Sequence, residues 1–373
     1  MSNSVFPSAP PRRRSWPLLI VFGLLVALAV AWTGLWFYAA SQAKTQVAGW
    51  FERERQAGRQ QECASLSIGG YPFRIEVRCD GGVFQLAELP AYKLNLPSLL
   101  AVVQVYDPKL MISEMTGPLN ISQRSGGIDY LVNWSIARAS MRGLPSEPER
   151  GSLALDNLSV REGAAAGNAP EFEAQHFELH GRPASGSRAD EPAIETNLQL
   201  KHSVAGKIHA VLARPTDADI SSVIHGLDGL TRKPLPDQLK QWQARGGEVE
   251  ITEARIRQDD VIAAGAGALK LTARGGLDGN LRVTIVGIEK LLKMLDLERV
   301  MSEGQVGSAL NALDQLMPGL GSIARRSAAP GLVAVLGQRG ELDGKPATTL
   351  AVRFVDGRVF LGPFPVGEVP PLF

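Results

Sequence analysis

Two cysteines are the residues of this chain whose type and spacing most directly predict a covalent bond. Cys63 and Cys79 are the only cysteines among 373 residues. Between them lies the turn-forming cluster 69–72, with alternating apolar residues after it. A hairpin centred on Tyr71 would place Cys63 opposite Cys79, as a cross-strand disulfide requires. We therefore predict a structural disulfide, and the competing hypothesis, a zinc site, lacks a nearby histidine to complete its ligands.

The histidines are the next candidates for metal ligands. His176 and His180 lie four residues apart, a spacing found in zinc-binding helices, but the residues between them alternate as in a strand. His202, His209 and His225 are isolated in the sequence. We therefore expect these side chains to be surface or core residues, and we predict neither a metal site nor a cofactor.

Two strings resemble fragments of enzyme motifs. Residues 41–44 read Ser-Gln-Ala-Lys and match the Ser-x-x-Lys string of penicillin-binding enzymes, without the companion motifs. Residues 265–267 read Gly-Ala-Gly, but the third glycine of a dinucleotide-binding loop is absent because position 270 is lysine. This second string indicates a bulge or a close contact between strands. We predict no catalytic residues.

The N-terminal region predicts a membrane-spanning helix. No charged residue occurs from position 15 to position 43, and the centre, 18–38, is almost wholly apolar. At 1.5 Å per residue, such a segment crosses a hydrocarbon core about 30 Å thick. The preceding arginines, 12–14, favour an N-terminus that stays in the cytoplasm. The rest of the chain would then be exported, into a compartment where thiols oxidise.

The boundaries follow from this segment. We predict a cytoplasmic N-terminus over 1–15, a transmembrane helix over 16–40, a membrane-exit helix over 41–60 and a β-rich periplasmic domain over 61–373. A cleaved signal peptide is the competing hypothesis, with a weak cleavage site at 41–43. The residues expected to anchor the helix are apolar or aromatic: Trp16, Leu24, Leu28, Trp32, Trp36, Phe37 and Tyr38.

The exported part predicts an α+β fold that is mainly antiparallel β. Glycine and proline are plentiful (39 and 24 residues) and aromatic residues sparse, which favours strands joined by tight turns. A formal net charge of +1, with no basic block after the N-terminus, argues against a nucleic-acid partner.

Alternation with period two predicts individual strands. The expected strands include 128–136, a weaker strand over 153–160 that contains a bulge, four short strands at 248–256, 261–266, 268–273 and 280–286, and a hairpin around Asp356-Gly357. The proline-rich end, 362–371, cannot form a central strand. Apolar residues at helical spacing predict helices over 235–245, 288–301 and 305–317.

Several of these features together resemble a known family. They are the tryptophan-containing exit helix, Cys63, the Gly-Tyr-Pro-Phe-Arg turn at 70–74, Cys79-Asp80, Trp242 followed by Gly246-Gly247, and the Asp-Gly-Arg-Val-Phe-Leu-Gly-Pro segment at 356–363. This order resembles domain-of-unknown-function family 2125, bacterial envelope proteins anchored in the inner membrane. The stretch 268–287 is also similar to segments of AsmA-like envelope proteins, a resemblance that implies long antiparallel sheets forming an apolar trough for lipid.

These observations lead to one expected function and three competing hypotheses. We expect a non-catalytic protein, anchored in the inner membrane, that binds or shelters lipid in an apolar groove of its sheet. The same residues could instead form an ordinary filled core. The second competing hypothesis is a periplasmic scaffold that docks on an envelope complex, and the third is a hydrolase. The expected partners are the lipids of the bilayer, a bound lipid and envelope proteins.

Overall fold

The computed structural model describes residues 16–56, 59–85, 92–123, 129–144, 147–163, 169–188, 190–227, 235–294, 337–362 and 364–373. It begins with α1 (Trp16–Gln56), an unbroken helix of 41 residues. The predicted transmembrane and exit helices are therefore one element. At 1.5 Å per residue it is about 60 Å long, twice the thickness of a hydrocarbon core. Within the described part of the chain, it is the one helix long and apolar enough to span a membrane.

All eighteen described strands belong to a single sheet, and every pairing between them is antiparallel. This confirms the predicted fold class. The strands are β1 (Gln61–Gly69), β2 (Arg74–Gln85), β3 (Tyr92–Gln104), β4 (Asp107–Thr116), β5 (Leu119–Gln123), β6 (Tyr130–Asn133), β7 (Ile136–Arg142), β8 (Arg150–Glu162), β9 (Phe172–Pro183), β10 (Ala193–Ser203), β11 (Thr216–His225), β12 (Glu248–Gln258), β13 (Val261–Leu271), β14 (Leu277–Val286), β15 (Gln338–Leu342), β16 (Lys345–Val355), β17 (Arg358–Leu361) and β18 (Phe364–Glu368).

The sheet is a meander in which neighbours in sequence are mostly neighbours in space. β3 pairs with both β4 and β5 along the same edge, and β8 pairs with both β6 and β7. From β8 to β14 each strand pairs with the next. β16 then pairs with β14 on one edge and with β15 and β17 on the other. Short turns explain this order, because they force consecutive strands to be antiparallel.

Two short helices interrupt the strands. α2 (Leu235–Ala244) lies between β11 and β12 and confirms the helix predicted over 235–245. α3 (Ile288–Met294) follows β14 and confirms the start of the helix predicted over 288–301. The remainder of that helix, and the one predicted over 305–317, lie outside the described residues. A single 3₁₀ turn (Ala210–Ala213) precedes β11.

Two predicted strands had wrong boundaries. The alternation over 128–136 predicts one strand, but the described part is divided between β6 and β7, with Trp134 and Ser135 between them. Conversely, the two strands predicted on either side of Gly267 are the single strand β13. The strand continues through Gly267, which pairs with a neighbour on both edges. Gly267 marks a close contact between strands, since a Cβ there would lie 2.1 Å from the carbonyl oxygen of Asn280. This confirms the close strand contact expected at 265–267.

The C-terminal predictions are confirmed. Asp356 and Gly357 both have positive φ, 50° and 85°, and they connect β16 to β17 as a tight hairpin. β18 contains Pro365 and pairs with β17. Among the described residues it has no second strand partner, so the proline-rich end forms an edge strand, where a missing backbone donor costs nothing.

Candidate functional site

One row of side chains crosses thirteen strands on the same face of the sheet. Directly paired residues of antiparallel strands point to the same side, so the pairings can be followed from strand to strand. The row, here called the apolar row, consists of Ile68, Val77, Ala101, Ser113, Ala139, Leu153, Leu179, Leu198, Ile220, Ala254, Gly265, Val283 and Leu350. Only Ser113 carries a polar group. At about 4.8 Å per strand, the row is about 58 Å long.

A second row lies beside the first on the same face, two residues along each strand. It consists of Ala137, Leu155, Phe177, Leu200, Ala218, Ile256, Ala263, Ile285 and Thr348. Eight of these nine residues are apolar, so the apolar surface is wider than one row of side chains.

The opposite face has the opposite chemistry. The row one residue along each strand, here called the polar row, contains six charged residues. It consists of Ser67, Arg78, Leu100, Glu114, Arg138, Ala154, Glu178, Gln199, Asp219, Arg255, Ala264, Thr284 and Thr349. Apart from a small buried cluster at its C-terminal end, formed by Ile262, Val286 and Ala347, the polar face is suited to water, whereas water solvates the apolar face poorly.

Burial along the apolar row is uneven. At its C-terminal end, Leu350 is 5% exposed and packs in a cluster with Val261, Ile285 and Leu361, beneath α3. In the middle, Leu153, Leu198 and Ile220 are only half-buried. Leu179, which lies between Leu153 and Leu198, is 39% exposed. Among the described residues, no large side chain is less than 2% exposed, so this face is not filled like an ordinary core.

Two cavities open where helices approach the apolar face. The first, about 640 Å³, lies between the end of α1 and the first strands, and its lining includes Trp50, Leu99, Met115 and Trp134. The second, about 340 Å³, lies between α2 and strands β11–β14, beside Trp242. Both volumes fall within the range of small-molecule pockets, and both linings are mainly apolar.

Helix α1 is bonded to the tip of the β1–β2 hairpin. The indole nitrogen of Trp32 donates a hydrogen bond to the carbonyl oxygen of Pro72 at 2.9 Å, and that of Trp36 donates to the carbonyl oxygen of Arg74 at 2.8 Å. The hydroxyl groups of Thr33 and Tyr71 lie 2.9 Å apart. These contacts hold the beginning of the sheet at a fixed level of the helix.

The predicted anchor residues differ in their surroundings. Trp16, Leu24, Leu28, Phe37 and Tyr38 are each at least 62% exposed, as lipid-facing side chains would be. The two remaining tryptophans are covered by the hairpin: Trp32 is half-buried and Trp36 is buried. The sequence places both at the bilayer boundary and does not reveal that they bind the hairpin. The Gly-Tyr-Pro-Phe-Arg segment is recognisable as a turn, but the sequence does not predict that this turn contacts α1.

The predicted disulfide is present in the hairpin. Cys63 is bonded to Cys79, with 5.3 Å between the two Cα atoms. The expected register was wrong, since Cys63 lies opposite Gly82 and Cys79 lies opposite Leu66. The bond therefore runs diagonally. A glycine at position 82 suits this arrangement, because a Cβ there would meet the Cys79 sulfur at 3.4 Å and Phe84 more closely still.

The histidines 176 and 180 do come together, on the polar face of β9. His176 Nδ1 lies 2.6 Å from Asp156, and Glu178 lies within 3.3 Å of both His176 and His180. The hydrogen bond with Asp156, followed by that with Glu178, raises the pKa of His176. These are ion pairs on the surface of a strand. Within the described ranges, no group of three or more potential ligands is arranged to hold a metal ion.

The two strings that resemble enzyme motifs lie in structural contexts that do not match those motifs. Ser41 and Lys44 both lie on α1, outside the sheet. The 265–267 string lies inside β13, between two paired strands, and not in a loop before a helix.

Three strands near the hairpin contribute to the apolar row but are poorly marked in the sequence. The apolar alternation after the turn identifies only the first part of β2, and β3 and β4 were missed. The leucines of β3, at positions 94, 96 and 99, are the signal that could have revealed it.

The structure thus defines a class: a β-meander protein with one continuous apolar face, joined to a helix long enough to cross a membrane. A family model described as an uncharacterized protein conserved in bacteria (DUF2125) matches residues 36–370. The chain belongs to this family, which confirms the first resemblance; the AsmA-like resemblance stays a prediction. No curated protein matches the chain.

Proposed function

We propose that this protein is a non-catalytic, membrane-anchored envelope protein that shelters the acyl chains of lipids on the apolar face of its sheet. The observation that carries the proposal is the half-buried middle of the apolar row. Leaving so many aliphatic side chains half-exposed to water is unfavourable, at roughly 25 cal/mol per Å² of apolar surface. A ligand that covers them would therefore bind by the hydrophobic effect.

The dimensions of the face favour acyl chains over a compact ligand. One leaflet contributes about 15 Å to the hydrocarbon core, so the row of about 58 Å is several times longer than one acyl chain. The middle of the face carries few polar groups that could orient a specific small molecule. One example is the pair Thr196 and Ser222, whose hydroxyl oxygens are 2.7 Å apart. A long surface with little polar chemistry suits a ligand that is itself long and apolar.

The location proposed is the inner membrane, with the sheet in the periplasm. The arginine cluster before α1 supports a cytoplasmic N-terminus. The Cys63–Cys79 bond supports an oxidising compartment for the sheet. The helix would then hold the apolar face where membrane lipids can reach it, because the cavity at the end of α1 is continuous with the first strands of that face.

The test is photo-crosslinking from one position of the row in living cells. The full chain carries benzoylphenylalanine in place of Leu198, and the control carries it in place of Gln199, the next residue, on the polar face. Illumination followed by mass spectrometry of the intact chain should show a phospholipid adduct at 198 and none at 199. This pair separates lipid on the sheet from lipid around α1, since α1 is the same in both.

Three outcomes overturn the proposal. No adduct at 198, in a chain whose disulfide has formed, would mean that the face is closed in the cell. A protein adduct at 198 would favour a scaffold that docks on an envelope complex. Equal lipid adducts at 198 and 199 would mean that the labelled chain contacts the bilayer without selecting a face.

A further inference from the structure

We propose that the sheet has a second membrane contact besides α1: an aromatic tip, formed by Tyr71, Phe73 and Tyr106, that lies in the headgroup layer of the same bilayer. Tyr71 and Phe73 belong to the β1–β2 turn, and Tyr106 to the β3–β4 turn. The inference rests on the proposed anchoring by α1. It does not depend on lipid bound along the apolar row.

The level of the tip follows from its bonds to the helix. If the span begins near Trp16, a hydrocarbon core about 30 Å thick is crossed in about 20 residues, which ends near Trp36. The carbonyl oxygens of Pro72 and Arg74 accept hydrogen bonds from Trp32 and Trp36 at 2.9 and 2.8 Å. The hairpin tip therefore lies at the boundary of the hydrocarbon core, within the headgroup layer.

The second turn lies at the same level. The backbone nitrogen of Val105 donates a hydrogen bond to the carbonyl oxygen of Phe73 at 3.0 Å. This bond places Tyr106, the next residue, beside the hairpin tip. Two consecutive turns at one end of the sheet thus meet the helix where it would leave the bilayer.

The side chains of these turns are those that the interface prefers. Tyr71, Phe73 and Tyr106 are 55%, 61% and 69% exposed, although each carries a large aromatic ring. Exposed aromatic rings are unfavourable in water, whereas at the headgroup level the apolar rings are removed from water and the hydroxyl groups of the two tyrosines stay hydrated. Phe37 and Tyr38 of α1 are exposed at the same level, so the tip extends an aromatic belt that the helix begins.

The occupant is the lipid surface and not another protein, because the patch is continuous with the apolar span. Tyr71 contacts Phe37 and Trp36 of α1, with ring centroids 6.4 and 5.4 Å apart. A protein partner would have to enter the same headgroup layer to reach these rings. A bilayer already lies there once α1 is inserted.

The test places benzoylphenylalanine at Tyr106, in the full chain reconstituted in vesicles of phosphatidylethanolamine and phosphatidylglycerol. Ile208 is the matched control: it is also 69% exposed, but it lies in the β10–β11 connection, at the opposite end of the strands. Leu25, in the middle of the span, reports the anchoring itself. We expect lipid adducts at 106 at least about fivefold above those at 208, since crosslinking requires contact and only the tip lies at the interface.

A chain labelled at Phe73 repeats the measurement, in case the Tyr106 variant fails to fold. Adducts at 25 combined with only background adducts at both 73 and 106 would disprove the aromatic tip and leave the anchoring intact. Failure at 25 would remove the anchoring and the tip together. Neither result depends on the Leu198 and Gln199 experiment, so the two proposals can fail separately.

Discussion

The C-terminal end and the middle of the apolar row have the same sequence pattern and different surroundings. Around Leu350, the row is covered by α3, and Val261, Ile285 and Leu361 complete a buried cluster. Around Leu198, the same alternation produces side chains that are only half-buried. Alternation therefore decides which face is apolar, whereas the covering element decides whether that face becomes a core or an open surface.

The largest expected effect is at the closed end. Leu350→Ala should lower the free energy of unfolding by about 4 kcal/mol, because it removes a buried side chain and leaves a cavity in a packed cluster. Urea unfolding of the full chain in detergent micelles, followed by circular dichroism, measures this difference. A loss below about 1 kcal/mol would mean that the closed end is as open as the middle.

The hairpin at the N-terminal end of the row is closed by a covalent bond instead of by packing. Replacing both cysteines, Cys63→Ser with Cys79→Ser, should cost about 3 kcal/mol, since the unfolded chain regains the freedom of a loop of this length. The bonded residues are 16 apart in sequence. The same unfolding measurement tests this value, with reduced wild-type protein as the control. Identical midpoints for the oxidised and reduced wild type would contradict it.

The open middle should respond weakly to truncation. Leu198→Ala should cost about 1 kcal/mol in lipid-free detergent, because a half-buried leucine loses only part of its transfer free energy and leaves no closed cavity. Adding phospholipid gives a more specific test, because it measures how the stability difference between wild type and variant depends on lipid. The difference between wild type and variant should grow with phospholipid, and a difference that stays constant would count against lipid on this face.

The smallest expected effect lies on the polar face. Hydrogen bonds raise the pKa of His176, the larger effect coming from Asp156 and the smaller from Glu178. The protonated imidazole is therefore favoured more in the folded state than in the unfolded state. Lys201, paired with His176 on β10, is the facing cation. The contribution of this ion pair to the free energy of unfolding is complete below about pH 6.5, the pKa of histidine in the unfolded chain. It is lost as the pH rises through the higher pKa of the folded state.

Replacing this histidine should remove that part of the pH dependence. We expect the wild type to lose stability as the pH rises above about 6.5, and His176→Gln to lose less over the same interval. Lipid binding should not change, because the side chain is on the opposite face from the apolar row. Thermal unfolding at several pH values measures the slope, and equal slopes for both proteins would show that the ion pair contributes nothing.

Local patterns predict the elements that local physics controls. The Asp356-Gly357 hairpin, α2 and the proline-rich edge strand are correct because turn geometry, capping and the missing donor of proline act within a few residues. The disulfide is also predicted, from two cysteines on either side of a turn. Its diagonal register is not, because turn type and loop length set the register of a hairpin, and the spacing of the two cysteines specifies neither.

The errors occur where a contact distant in sequence overrides the local pattern. Gly267 predicts a break between strands, but the strand continues because Gly267 pairs with Ile251 on one edge and with Leu281 on the other, where the close approach leaves no room for a side chain. Trp134 has the pattern of a strand residue, yet its indole nitrogen donates to the carbonyl oxygen of Met115 across the sheet, and the strand is interrupted there. Neither partner can be identified from the sequence around each residue.

The amino-acid sequence by itself determined that this protein has a charge-free apolar segment long enough to span a membrane, a sheet with one apolar face and a pair of cysteines able to bond, because these follow from composition and periodicity. Only the tertiary structure decided that the apolar residues of thirteen strands align in one row, that its middle is left half-covered, and that Trp32 and Trp36 bind the first hairpin. Alignment and covering depend on strand pairing and on contacts between residues far apart in the chain, and periodicity carries no information about either.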